Sequence, residues 1–305
     1  MTLTTTEGLI NHLGLAIVGS NQGPFGRLNC GNLLVRGSMK RVTIFAKGNV
    51  DIHDSLHSCR VGGKLLWNGI NEVLRSRGIA AVVRLKHETW TRSDALLATP
   101  GVVPPEISDR NLALGYYSAE SQFSSAIFSC DADAIILSAL PDFATELVRH
   151  HRTGILLHPN DAHRWPENDR NWLRDEFSER ASLEVDAAMA HLGRLIERLQ
   201  TSLDVPILLY NVSSFVPGET VHCLQGMGEI FATRARRFNL GIAALSEQTG
   251  ISVIDVDAII GRAGADKFKL DAIHLTPEGY RLVAEEVVRV LCDLGVAGFE
   301  DYDNG

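Results

Sequence analysis

From Met39 onward the sequence alternates short, nearly unbroken runs of Val, Ile and Leu with longer segments of helical period. The runs fall at 42–46, 79–85, 134–137, 155–157, 207–210 and 251–254. A strand with one wet face alternates apolar and polar residues, whereas an unbroken run fits a strand buried on both faces. Three helical patterns stand out between and after the runs. One covers 172–200, with Val185, Ala188, Met189, Leu192, Leu195, Ile196 and Leu199 on a single face. A second runs over 229–248 with Gly250 as its stop, and a third over 277–291. Thr276 followed by Pro277 is a good start for the last, because Thr caps and Pro suits the first helical position. Strand–helix alternation of this kind predicts one three-layer α/β/α domain around a mainly parallel sheet.

The domain is expected to cover 39–305. Residues 1–38 are rich in Thr, Asn and Gly, show no sustained period, and read as an N-terminal extension. The stretch from His87 to Phe128 carries Pro100, Pro104, Pro105 and Gly101 and is expected to loop over the sheet. At 45% hydrophobic and 22% charged residues the chain can bury a large core. Its net charge of −8 argues against nucleic acid as the main partner, since phosphate contacts need a basic face. No segment approaches the ~20 apolar residues of a membrane span, and no Lys or Arg precedes Arg27, so a cytoplasmic location is expected. The five cysteines, Cys30, Cys59, Cys130, Cys223 and Cys292, include no CxxC pair and read as free thiols.

The run Asp271-Ala-Ile-His274-Leu-Thr-Pro-Glu-Gly-Tyr280 carries the most chemistry. A carboxylate three residues before a histidine, on a loop entering a helix, can hold one ring nitrogen and leave the other as a general base. Alone, Asp-x-x-His is also an ordinary cap or surface pair. The whole run resembles the final block of the SGNH (GDSL-type) hydrolases, in which Asp-x-x-His-Leu is followed by Thr-Pro-x-Gly and a C-terminal amphipathic helix. The resemblance extends over 172–291, including Val205-Pro-Ile-Leu-Leu-Tyr210 and Gly250-Ile-Ser-Val-Ile-Asp255. It implies a flavodoxin-like sheet, hydrolysis of an ester or acyl group, and Asp271 and His274 as the acid and base.

The front of the site departs from that family, which places Gly-Asp-Ser after the first strand. Here the turn reads Gly48-Asn49-Val50-Asp51, without a serine. Ser55, in His53-Asp54-Ser55-Leu56, is the candidate nucleophile; the other reading is a helix-start or turn serine. For the family's oxyanion asparagine two registers compete. Strand count points to Ser138-Ala-Leu-Pro-Asp142, which has no Asn, and local similarity points to Asn160 in His158-Pro-Asn-Asp161. Pro-Asn-Asp is equally ordinary turn chemistry. Gly115 is a candidate for the family's second-block glycine.

His150, His151, His158, His163 and Asp161 lie close in sequence but lack a zinc-ligand spacing, so no metal is expected. No phosphate-binding glycine loop occurs, and no cofactor is expected. The expected function is an SGNH-like hydrolase acting on an ester of a small molecule or carbohydrate. The alternative is a descendant that keeps the fold and the Asp–His pair but binds or regulates without catalysis. A third reading places Asn49 and Asp51 in the pocket of a His-assisted reaction on another substrate.

Overall fold

The computed structural model describes residues 39–217 and 230–299; the extension expected over 1–38 lies outside them. Among the described residues nine strands are formed: β1 (Lys40–Lys47), β2 (Cys59–Val61), β3 (Lys64–Trp67), β4 (Ala81–Glu88), β5 (Ala134–Ser138), β6 (Val148–Arg149), β7 (Leu156–Leu157), β8 (Ile207–Tyr210) and β9 (Ser252–Ile254). Five of them make the central sheet, in the order β4-β1-β5-β8-β9, and every pair is parallel. Counted within the sheet this is the order 2-1-3-4-5, the flavodoxin-like winding. Its switch point, where ligands bind beyond the carboxyl ends of the strands, lies between β1 and β5.

Successive side chains of a strand leave on opposite faces, and the two cores follow that rule. Val42, Ile44, Ala134 and Ile136 point to one side, where helices Ile70–Ser76, Val256–Ala263 and Pro277–Asp293 cover them. Phe45, Ile135, Leu137 and Leu209 point to the other, under helices Val185–Ser202 and Phe231–Thr249. The three-layer α/β/α arrangement expected from the unbroken apolar runs is therefore present. Gly250 ends helix Phe231–Thr249 in the left-handed conformation, and Thr276 Oγ accepts the Gly279 amide at 3.2 Å as the cap of the last helix.

Two expectations need correction. The run 155–157 is not a sheet strand: β7 pairs antiparallel with β6 in a separate hairpin. The single helix expected over 172–200 is two, Glu167–Glu176 and Val185–Ser202. Between them the chain runs partly extended, because His150 bridges Phe177 and Leu147 bridges Ala181. Phe177 is buried there against the rings of Trp172 and His150. Tertiary pairing overrides local helix propensity at this point. This region has its own apolar cluster, built on Ile107, Leu114, Phe123, Val148, Leu157 and Trp165.

Candidate active site

The turn after β1 is tight because it packs against β5. A Cβ on Gly48 would lie 2.1 Å from Ile52 Cγ1 and 3.1 Å from Ser138 Cβ, so only glycine fits. The Asn49 amide N–H donates to Asp51 Oδ1 at 3.1 Å, and the Ser138 hydroxyl donates to the other carboxylate oxygen. Asp51 and Ser138 thus join the ends of β1 and β5 across the switch point. Burial raises the Asp51 pKa, against the lowering pull of the Ser138 and backbone hydrogen bonds. The Asn49 side chain is also held. In the orientation that satisfies both ends of the amide, its nitrogen donates to Trp90 O at 3.0 Å and its oxygen accepts the Tyr117 hydroxyl at 2.9 Å.

Ser55 belongs to the short π-helical turn His53–His57 and is 0% exposed. Its Oγ donates to Asp51 O at 2.6 Å and lies 3.2 Å from the Tyr210 hydroxyl, while its carbonyl accepts Trp67 Nε1–H at 3.0 Å. A hydroxyl enclosed on all sides, with its proton given to a main-chain carbonyl, does not present itself to a substrate. Ser55 thus lies inside a short helical turn, its hydroxyl directed at the Asp51 carbonyl and the Tyr210 hydroxyl.

Asp271 and His274 come together. His274 Nδ1 is 2.8 Å from Asp271 Oδ2, and Asp271 Oδ1 accepts the His274 and Ile273 amides at 2.7 and 2.8 Å. Partial burial works against the carboxylate, but the two amides and the imidazole outweigh it and hold its pKa below the usual value. An ionised Asp271 on Nδ1 fixes the tautomer, and among the described residues no hydrogen bond occupies Nε2. The His274 side chain is 29% exposed, so the ring is neither sealed in the core nor loose in solvent. The loop that carries it is strapped: Leu270 N donates to His274 O, Thr276 N to Phe268 O, and Lys269 Nζ to Ala272 O at 2.9 Å. Lys269 is only 4% exposed. Burial pushes its pKa down to about 8, against the charges of Asp257 and Asp271.

Asn160 follows β7, outside the central sheet, and its Nδ2 donates to Leu114 O at 3.2 Å. That places it beside Gly115, whose φ of +58° suits glycine. The same loop sends Tyr117 to Asn49 and packs Tyr117 against the His158 ring. Two candidates of the sequence, Gly115 and Asn160, are therefore neighbours, and Tyr117 links their loop to the β1 turn. Among the described residues no hydrogen bond joins His274 to Asn160 or to Ser55, and no group of three His, Cys, Asp or Glu side chains could hold a metal ion.

Sequence reasoning missed several polar groups at the strand ends. His87, at the end of β4, has Nε2 3.0 Å from Gly48 O, and burial pushes its pKa down to about 4, which makes it a neutral donor. Its ring lies 5.8 Å from that of His53, which stacks on His57 at 5.1 Å. Ser213 and Tyr280 line a cavity below the His274 loop. The available signal was positional, since each lies just past a strand or beside the Asp-x-x-His run.

No family model matches the sequence, and no curated protein matches it. Solved structures do. One described as a putative SGNH hydrolase from Slackia heliotrinireducens is 14% identical, with 80% of this chain and 96% of that chain covered and a TM-score of 0.42. An acetylxylan esterase from Geobacillus stearothermophilus is 12% identical over 83% and 95%, with a TM-score of 0.46. A member of the lipolytic G-D-S-L family from Veillonella parvula is 12% identical over 81% and 97%, with a TM-score of 0.43. At this distance the chemistry has to be read from this chain's own residues.

Proposed function

We propose that this chain is a divergent SGNH-type hydrolase that cleaves an ester or acyl group of a small molecule or carbohydrate. The observation that carries the reading is the Asp271–His274 pair, 2.8 Å apart on a strapped and partly exposed loop. With Asn49 and Val50 at the turn and Ser55 enclosed, the nucleophile in this reading is water. His274 Nε2 takes a proton from the water as its oxygen adds to the acyl carbon. The imidazolium, stabilised by Asp271, then protonates the departing alkoxide, so ester and water become acid and alcohol. Asn160 keeps one amide hydrogen after bonding Leu114, and this reading assigns that hydrogen to the developing oxyanion.

A second reading, a binding protein without turnover, is favoured by one observation: the turn after β1 holds Asn49 and Val50 where the family has its serine. Assays on short acyl esters separate the two. The hydrolase reading expects turnover that His274→Ala abolishes, with no residue labelled by a fluorophosphonate. Full activity in His274→Ala would overturn it, and absence of turnover in the unaltered protein would leave the binding reading.

A further inference from the structure

Lys269 opens the His274 loop and is buried, 4% exposed. Its backbone is fixed on both sides: Lys269 N donates to Ala265 O at 2.9 Å, and the residue bridges Leu275 in antiparallel pairing. Its side chain turns back onto the same loop, where Nζ donates to Ala272 O at 2.9 Å. The peptide between Ala272 and Ile273 is therefore held at both ends. Its carbonyl is taken by Lys269, and its N–H donates to Asp271 Oδ1 at 2.8 Å. Because a peptide is planar, fixing the carbonyl also fixes the direction of that N–H. The same carboxylate oxygen accepts the His274 amide, and the other meets His274 Nδ1. Lys269 thus closes the turn in which carboxylate and imidazole are brought together.

A buried ammonium is a costly way to satisfy one carbonyl, since removing a charge from water costs more than a single hydrogen bond returns. Two carboxylates act on the amine: Asp257, in the first turn of helix Val256–Ala263, and Asp271 on its own loop. Both are committed elsewhere. Asp257 accepts the Ser214 amide at 2.6 Å and the Ser214 hydroxyl at 3.2 Å, and Asp271 serves the Ile273 and His274 groups. Among the described residues Lys269 forms no ion pair, and its bond is to the Ala272 carbonyl. An apolar side chain of similar length would bury at lower cost, so stability does not account for the lysine. What the ammonium adds is a charge-assisted bond, roughly twice as strong as a neutral one, on the peptide that Asp271 also grips. Its positive charge also favours the ionised form of Asp271.

We propose that Lys269 is the positioning residue of the Asp271–His274 pair: its ammonium holds the Ala272 carbonyl and so keeps carboxylate and imidazole aligned for proton transfer. The effect on turnover rests on the hydrolase reading, whereas the effect on the pair's geometry is read independently of it. Burial pushes the amine down to about 8, so mild alkali removes the charge that makes the bond strong.

The test uses the unaltered protein with Lys269→Met and Lys269→Gln. The low-field proton NMR signal of the His274 Nδ1–H, bonded to Asp271, reads the alignment whether or not an ester is cleaved. In Lys269→Met, which keeps the buried stem, that signal should be lost to exchange. On short acyl esters its kcat should fall at least about tenfold with KM within about twofold. Lys269→Gln keeps a donor without the charge. In the unaltered protein the signal and kcat should both fall as pH rises through about 8, while in Lys269→Gln neither should show that step. A folded Lys269→Met with signal and kcat unchanged overturns the proposal. If Lys269→Met does not fold, the same alkaline step in Lys269→Gln as in the unaltered protein overturns it. No turnover in the unaltered protein, with the signal still dependent on Lys269, removes the hydrolase reading and keeps the positioning role.

Discussion

Replacing Ser55 by alanine separates a packing serine from a nucleophile. The substitution removes the Oγ donor to Asp51 O and the 3.2 Å contact with the Tyr210 hydroxyl, while the Ser55 carbonyl and its bond to Trp67 remain. The volume lost is one oxygen, so the cost comes from the groups left behind. Tyr210 is 1% exposed and would lose a buried partner, and an unsatisfied buried group costs about 1–3 kcal/mol. A net destabilisation of about 2 kcal/mol lowers Tm by roughly 4–8 °C for a domain of this size. Tyr210→Phe should recover part of the loss in the double variant, because removing both partners leaves less unpaired than removing one. Thermal unfolding of the two single variants and the double one gives the coupling. Ester turnover by folded Ser55→Ala should stay within about twofold of the unaltered protein. A folded Ser55→Ala with intact stability and no turnover would refute this reasoning and restore Ser55 as the nucleophile.

Asp271→Asn should lower kcat by about 10³–10⁴, since a neutral amide neither fixes the tautomer nor stabilises the imidazolium; a loss under tenfold would show that the pair is not catalytic. His87 and His158 are both pushed by burial down to about 4, so their imidazole signals should still report neutral rings at pH 5.5. In each case the folded value lies below the unfolded one. The stability each contributes is therefore full above about pH 6.5 and lost as pH falls toward about 4. Titration midpoints near 6.5 by NMR would contradict the burial of both rings. Gly48→Ala should destabilise by about 1–3 kcal/mol or more, read from denaturant midpoints, because the new methyl would overlap Ile52.

The fold was legible where burial on both faces leaves a simple mark. The apolar runs that became β1, β5 and β8 lie in the middle of the sheet, and Val185 to Leu199 kept a helical stripe because one face meets that sheet. The run at 155–157 looked the same but pairs in a hairpin, since a short apolar run says nothing about its partner. The break at Phe177 is set by residues 27 positions away at His150, which no local pattern contains. At the site, Asp271 and His274 were readable because three residues of spacing and a helix start bring them together locally. Asp51 with Ser138 was not, because the two meet only after β1 and β5 pair side by side.

The separate apolar cluster over the hairpin has a dynamic corollary. Its side chains pack chiefly on one another, while the faces of the sheet are filled by two other cores. Melting of that cluster alone would strip away the loops bearing Gly115, Tyr117 and Asn160, yet leave the strand ends and the His274 strap standing. Such a unit has its own free energy of opening, below that of the whole. Amides around Leu114, Leu157 and Trp165 should then exchange with deuterium as one block, ahead of those in β1 and β5. Whatever steadies that block from outside would hold Tyr117 on Asn49 without disturbing the sheet beneath.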